Sequence, residues 1–176
     1  QAARARPFDL RIGSFWTCVA LTRNTGPFGG LSSTLAGLHG ADHHGRMPVE
    51  GAGKLLDRSA LDLAALLQSE SLLEASVGLA TVNALLDIDE DTCVEVNAAE
   101  VIAERGKNRN IAVVGHFPFL NRLRKLAANL WTLELNPRPG DLPADQAPEI
   151  LPQADVVALT GTSLLTGTFD ELTGLC

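Results

Sequence analysis

The strongest constraint on the fold is a change of sequence pattern after residue 106. Residues 111–114 (IAVV) are an unbroken apolar run, residues 130–135 (LWTLEL) are nearly so, and 155–159 (DVVAL) repeat the pattern. Short continuous apolar runs of this kind fit strands buried on both faces of a parallel sheet. Between and after them, residues 120–128 read as a basic helix, 143–151 as a second helix, and 169–172 as the start of a third. Strand–helix alternation with short loops specifies a doubly wound α/β unit.

Before that point the pattern differs. Phe8, Leu10 and Ile12 fall on one face and Asp9 and Arg11 on the other, the period-2 pattern of a half-buried strand. Gly13 and Ser14 can bend it before residues 15–21 continue. The turn formers NTGPFGG (24–30) and a return over 31–35 complete a hairpin or small meander. Residues 37–54 read as a loop. From 57 to 86 the apolar period becomes helical, with two helices broken near 68–70. Gly78 within the second costs up to about 1 kcal/mol against alanine, so it is expected to admit another backbone or side chain at close range. Asn97 and Glu100 suggest a capping pair for a short helix over 98–105, with Gly106 as its left-handed stop. GKNRN (106–110) is the expected boundary. The chain is thus read as two domains, an α+β part over 1–105 and an α/β part over 106–176. Three parallel strands leave an open sheet edge, which soluble proteins normally cover. The expectation is a C-terminally truncated α/β domain, lacking strands that belong after Cys176.

Charge and cysteine content narrow the function classes. The 176 residues carry 14 Lys+Arg against 21 Asp+Glu, a net charge of −7. Residues 1–50 hold five basic and three acidic groups, 51–105 hold three and eleven, and 106–176 hold six and seven. A net negative surface repels phosphate backbones, which argues against a nucleic-acid partner. No apolar stretch approaches the roughly 20 residues needed to cross a bilayer, so no membrane partner is expected. Cys18, Cys93 and Cys176 show no paired spacing and fit a reducing, cytoplasmic setting.

The three turns after the three strands should meet at the carboxyl end of the sheet, where open α/β sheets bind ligands. The first is GHFPF (115–119), in which Gly115 permits a tight turn and His116 can face a ligand. Glu134 ends the second strand, 19 residues after Gly115, where dinucleotide enzymes place the acid that holds a ribose hydroxyl. One glycine in place of GxGxxG gives that reading little support. The third turn, TGTSLLTGT (160–168), offers hydroxyls and N–H groups suited to an anion. Other motifs fail on inspection. His39 and His43 are four apart, but Gly37, Gly40 and Gly45 argue against the helix that would align them. DIDED (87–91) begins like a calcium loop, yet Thr92 and Ala98 stand where glycine and glutamate are required. There is no GxSxG, Cys18 is expected in the core, and Trp16 and Trp131 are expected to pack within strands. The residues assign no catalytic group and define no reaction.

The segments GLATVNALL (78–86), VVGHFPFL (113–120), LELNPRPGDLP (133–143) and LPQADVVALTGTSLLTGT (151–168) resemble a prokaryotic family of uncharacterised proteins described as "putative heavy-metal chelation". Residues before 78 match more weakly. The resemblance implies an enolase-N-terminal-like α+β domain followed by a Rossmann-like α/β domain, with a ligand site in the cleft between them. Carried over by position, the ligand-binding residues are Asn83, Gly115, His116, Phe117, Pro118, Glu134, Gly140, Asp141, Thr160, Gly161 and Thr162. His116, Glu134 and Asp141 are the implied metal ligands, with a divalent metal ion as the candidate cofactor. One imidazole and two carboxylates suit hard or intermediate cations, and no thiolate for a soft heavy metal is among them. The implied partner is a metal or small molecule, and a homo-oligomer is compatible with it. The alternative is a Rossmann-type nucleotide- or S-adenosylmethionine-binding enzyme.

Overall fold

The computed structural model describes residues 4–35 and 49–176, in two compact units. One runs to Ile88 and includes Leu164–Gly167; the other comprises Asp89–Ser163 and Thr168–Cys176. His39, His43 and His44 lie outside the described residues.

The first unit is an antiparallel meander, β1 (Arg6–Ile12), β2 (Trp16–Arg23) and β3 (Gly26–Ser33), in the order β1-β2-β3. The chain bends at Gly13–Phe15, as its glycine suggests. The second turn is shorter than expected: only Asn24 and Thr25 stand between the strands, and β3 begins at Gly26. Pro27–Gly30 therefore belongs to a strand, where the turn-rich composition points to a loop. The reason lies at Gly30. A Cβ there would stand 2.0 Å from the Ala80 carbonyl oxygen and 2.5 Å from the Ala84 nitrogen. Glycine is present because a helix backbone lies against the strand.

That helix is α2 (Leu72–Leu85), preceded by α1 (Ala60–Ala65) and a short 3-10 turn at Leu66–Gln68, so the expected break is where the sequence puts it. Ala75, Ser76, Gly78, Ala80 and Ala84 are all buried in α2, and these small residues let it lie close to its neighbours. A Cβ on Gly78 would meet the Leu67 nitrogen at 2.0 Å, which accounts for a glycine inside a helix. Val19, Leu21, Leu63, Val77 and Ala80 form the centre of this core. Within it Thr17 Oγ1 bridges Thr34 Oγ1 at 2.8 Å and Ser76 Oγ at 2.9 Å, so each buried hydroxyl is satisfied. Arg23, almost fully buried, lies 4.2 Å over the Phe28 ring and pairs with Asp87 just beyond α2. A cation at a helix carboxyl end complements its dipole. Cys18 and Trp16 occupy the opposite face of β2; Cys18 is only half-buried, so it is not the core residue expected, and Trp16 is 60% exposed.

The second unit opens with α3 (Ala98–Arg105), capped by the Asn97 side chain, which accepts from the Ala99 N–H. Gly106 does not take the left-handed conformation anticipated for it: its φ is −92°. It is glycine because a Cβ would meet Ile111 Cδ1 at 2.3 Å. Four parallel strands follow, β4 (Asn110–Val114), β5 (Asn129–Glu134), β6 (Leu142–Pro143) and β7 (Val156–Leu159), in the order β6-β5-β4-β7. β4 is hydrogen-bonded on both sides, and among the described residues β7 is paired on one side only. Alternate residues of β4 face two cores. Ile111 and Val113 pack with Ala103, Leu120 and Leu123, while Ala112 packs with Leu133, Ala147, Ile150 and Leu172. The sheet is covered on both faces, as a doubly wound unit requires.

Its helices are shorter than periodicity implies. α4 is only Leu120–Leu123, and the segment 143–151 splits into 3-10 turns around α5 (Ala147–Ile150). Pro148 and Pro152 remove N–H donors there. The last helix is α6 (Phe169–Gly174), and no described helix is long and apolar enough to cross a membrane.

Two predictions follow from the packing and the caps. Gly78→Ala forces a methyl group into the Leu67 backbone and should cost about 3 kcal/mol, read as a lowered denaturation midpoint. Ser59 caps α1 reciprocally with Asp62. The Ser59 side chain and backbone hold the Asp62 carboxyl below its ordinary value of 3.8. A depressed carboxylate stabilises the fold above its unfolded pKa, and that contribution disappears as pH falls through the folded one. Ser59→Ala should therefore lower the melting temperature at neutral pH, and the gap to the parent should narrow below pH 3.8.

Candidate functional site

After β4 the chain leaves to β5 on one side and later returns to β7 on the other. This reversal makes a switch point at the carboxyl end of β4. Gly115 occupies it with φ +107°, a conformation that side chains with a Cβ rarely adopt, and a Cβ would press on Thr160 Cβ and Cγ2 at 3.0 Å. Backbone bonds extend the pairing past the strands, with the Gly115 N–H donating to Leu133 O and the Thr160 N–H to Val114 O, both at 3.0 Å. The turn then presents His116, while Phe117 and Phe119 stack at 5.1 Å and pack against the core.

Two carboxylates converge on the imidazole. His116 Nδ1 lies 3.6 Å from Glu134 Oε1 and 3.5 Å from Asp141 Oδ2. The Asp141 side chain is 6% exposed, against 24% for Glu134 and 34% for His116, so the cluster opens to solvent on the histidine side. Glu134 ends β5, where strand geometry fixes it. Asp141 is placed by a tight turn: its N–H donates to Arg138 O at 2.9 Å, and its Oδ2 accepts from the Arg138 N–H at 3.0 Å. Pro139 and Gly140 (φ +96°) take the central positions, the residues such a turn favours.

The other expected site residues have different surroundings. Thr160 Oγ1 and Thr162 Oγ1 bond each other at 3.0 Å, and Ser163 Oγ donates to Thr160 O at 2.7 Å, so this loop satisfies its own hydroxyls in part. Gly161 begins a short 3-10 turn. Asn83 lies on α2 in the first unit, its amide donating to Leu31 O at 2.8 Å. Phe117 is a packing residue, and no contact singles out Pro118. Sequence reading missed Thr132, which lies on the same face of β5 as Glu134, two residues earlier. Its hydroxyl is buried with no hydrogen-bond partner; the signal was a threonine inside an otherwise apolar strand.

Among the described residues, no group of three or more His, Cys, Asp or Glu is placed so that it could hold a metal ion. Two spacings are defined within the cluster, from His116 Nδ1 to each carboxylate. Both exceed normal hydrogen-bond length, and two ligands at roughly 2.0–2.2 Å from one tetrahedral ion stand about 3.4 Å apart. Cys18 belongs to the first unit, and none of the three cysteines is part of the cluster.

A parallel sheet of this order, carrying an imidazole and two carboxylates at its switch point, defines a Rossmann-like α/β unit preceded by an antiparallel α+β unit. Residues 8–86 match one family model (DUF4213) and residues 97–176 another (DUF364), both described as "Putative heavy-metal chelation". The chain belongs to this family. Among solved structures it is similar to a DUF364-family protein of unknown function from Desulfitobacterium hafniense DCB-2. The TM-score is 0.83 at 25% identity, covering 98% of this chain and 68% of that one. It is also similar to a DUF364-family protein of unknown function from Pyrococcus horikoshii, with TM-score 0.79 and 20% identity, covering 99% and 69%. No curated protein matches the sequence. None of these comparisons supports a nucleotide- or S-adenosylmethionine-binding enzyme.

Thr132→Val replaces an unpartnered buried hydroxyl with a methyl group of the same shape, a change that is neutral or stabilising when no partner is lost. Chemical denaturation should show a gain of up to about 1 kcal/mol; a loss would mean that the hydroxyl is bonded.

Proposed function

We propose that the protein binds a divalent metal ion through His116, Glu134 and Asp141. The observation that carries this reading is the position of His116 Nδ1, 3.5–3.6 Å from an oxygen of each carboxylate. That spacing is too long for a hydrogen bond and suited to two ligands sharing one ion. The family description supports the same reading. The donor chemistry favours ions such as zinc, cobalt, nickel or manganese, which accept imidazole and carboxylate, over soft ions that require thiolate. The Arg138–Asp141 turn supplies the outer support that holds a ligating carboxylate in place, a role usually worth 10–100-fold in affinity.

Calorimetric titration with zinc and with manganese tests the proposal. The expected result is one site, weakened at least tenfold in Glu134→Gln and in Asp141→Asn and unchanged in Glu149→Gln, which lies on α5. Equal affinity in all four proteins, or no binding by the parent, would refute it.

A further inference from the structure

Basic and acidic residues are segregated in the chain. Residues 59–104 contain ten Asp+Glu and no Lys or Arg, whereas 105–133 contain six Lys+Arg and no Asp or Glu. The fold gathers the six. Arg105 ends α3, Lys107 and Arg109 lie in the turn into β4, and Arg122, Arg124 and Lys125 lie on and just after α4. Two backbone hydrogen bonds join these stretches, Asn108 N–H to Leu126 O at 2.8 Å and Ala128 N–H to Arg109 O at 2.9 Å. All six side chains belong to exposed residues, and among the described residues none of them forms an ion pair. Glu104 and Asp155 border the surface at the β7 side.

In the same unit Asp89, Glu90, Asp91 and Glu95 form an exposed acidic segment around a 3-10 turn at Glu90–Thr92. We infer that the basic face docks the acidic segment of a second copy of this chain, in a reciprocal two-fold pair. Charge complementarity selects this occupant. Two copies carrying −7 each repel over most of their surface, and the basic face is where an acidic copy is attracted. In a two-fold pair each contact forms twice and the assembly closes. Exposed ion pairs are individually weak, so the pair is salt-sensitive and forms at high protein concentration. The inference is independent of metal binding.

Sedimentation velocity on the full chain tests it. The expected result is a concentration-dependent dimer at low salt that dissociates at high salt. R122E/R124E/K125E and D89K/E90K/D91K should each self-associate at least about tenfold more weakly, and their mixture should form a heterodimer, since reversed face then meets reversed segment. Circular dichroism checks that the variants fold; if they do not, the salt response of the parent still decides. A monomer at every concentration in low salt, or a dimer indifferent to salt, would overturn the inference. So would variants that fail to associate when mixed. A monomeric parent retained on phosphocellulose, with retention lost in R122E/R124E/K125E, would assign the face to a polyanion instead.

Discussion

The pairing of β4 with a parallel neighbour on each side is the constraint from which the candidate site follows. β5 and β7 both bond to it in register, and the pairing continues one residue beyond the strands, at Gly115 and Thr160. That extension brings the turns together so closely that a Cβ at 115 would press on Thr160. With no Cβ and a positive φ, Gly115 turns the chain sharply and delivers His116 to the sheet end. Strand β5 delivers Glu134 to the same end. Asp141 is delivered by the Arg138–Asp141 turn, whose two internal hydrogen bonds make it a fixed support.

Close backbone approach recurs through the molecule. Gly30 admits α2 against β3, Gly78 admits the chain at Leu67 against α2, and Gly106 leaves space for Ile111. Each looks locally like a turn or a helix defect, and each is instead a packing position. A glycine's neighbours in sequence report its conformational freedom; only its neighbours in space report why it is needed. This is why the sequence misplaced the start of β3 and misjudged Gly106, while the compensation for Gly78 could be anticipated from its position inside a helix.

Much of the second unit was legible because strands buried on both faces write themselves as continuous apolar runs. β4, β5 and β7 stand out for that reason, and so do His116 and Glu134, which lie where such strands end. Asp141 was not legible from pattern. It precedes β6, a strand of two residues too short to show any period, and it entered only through resemblance to a family. The helix over 143–151 was overread because Pro148 and Pro152 interrupt hydrogen bonding without disturbing the apolar spacing. Trp16 lies in a strand as read, but on the exposed face of β2, which the sequence does not distinguish from the covered one.

The central claim is that the three side chains at the end of the sheet share one cation. X-ray absorption spectroscopy of the zinc-loaded protein tests it most directly. The account predicts a first shell of nitrogen and oxygen at about 2.0–2.2 Å with an imidazole signature, and loss of that signature in His116→Ala. A shell containing sulfur at about 2.3 Å, or a spectrum identical to that of His116→Ala, would contradict it.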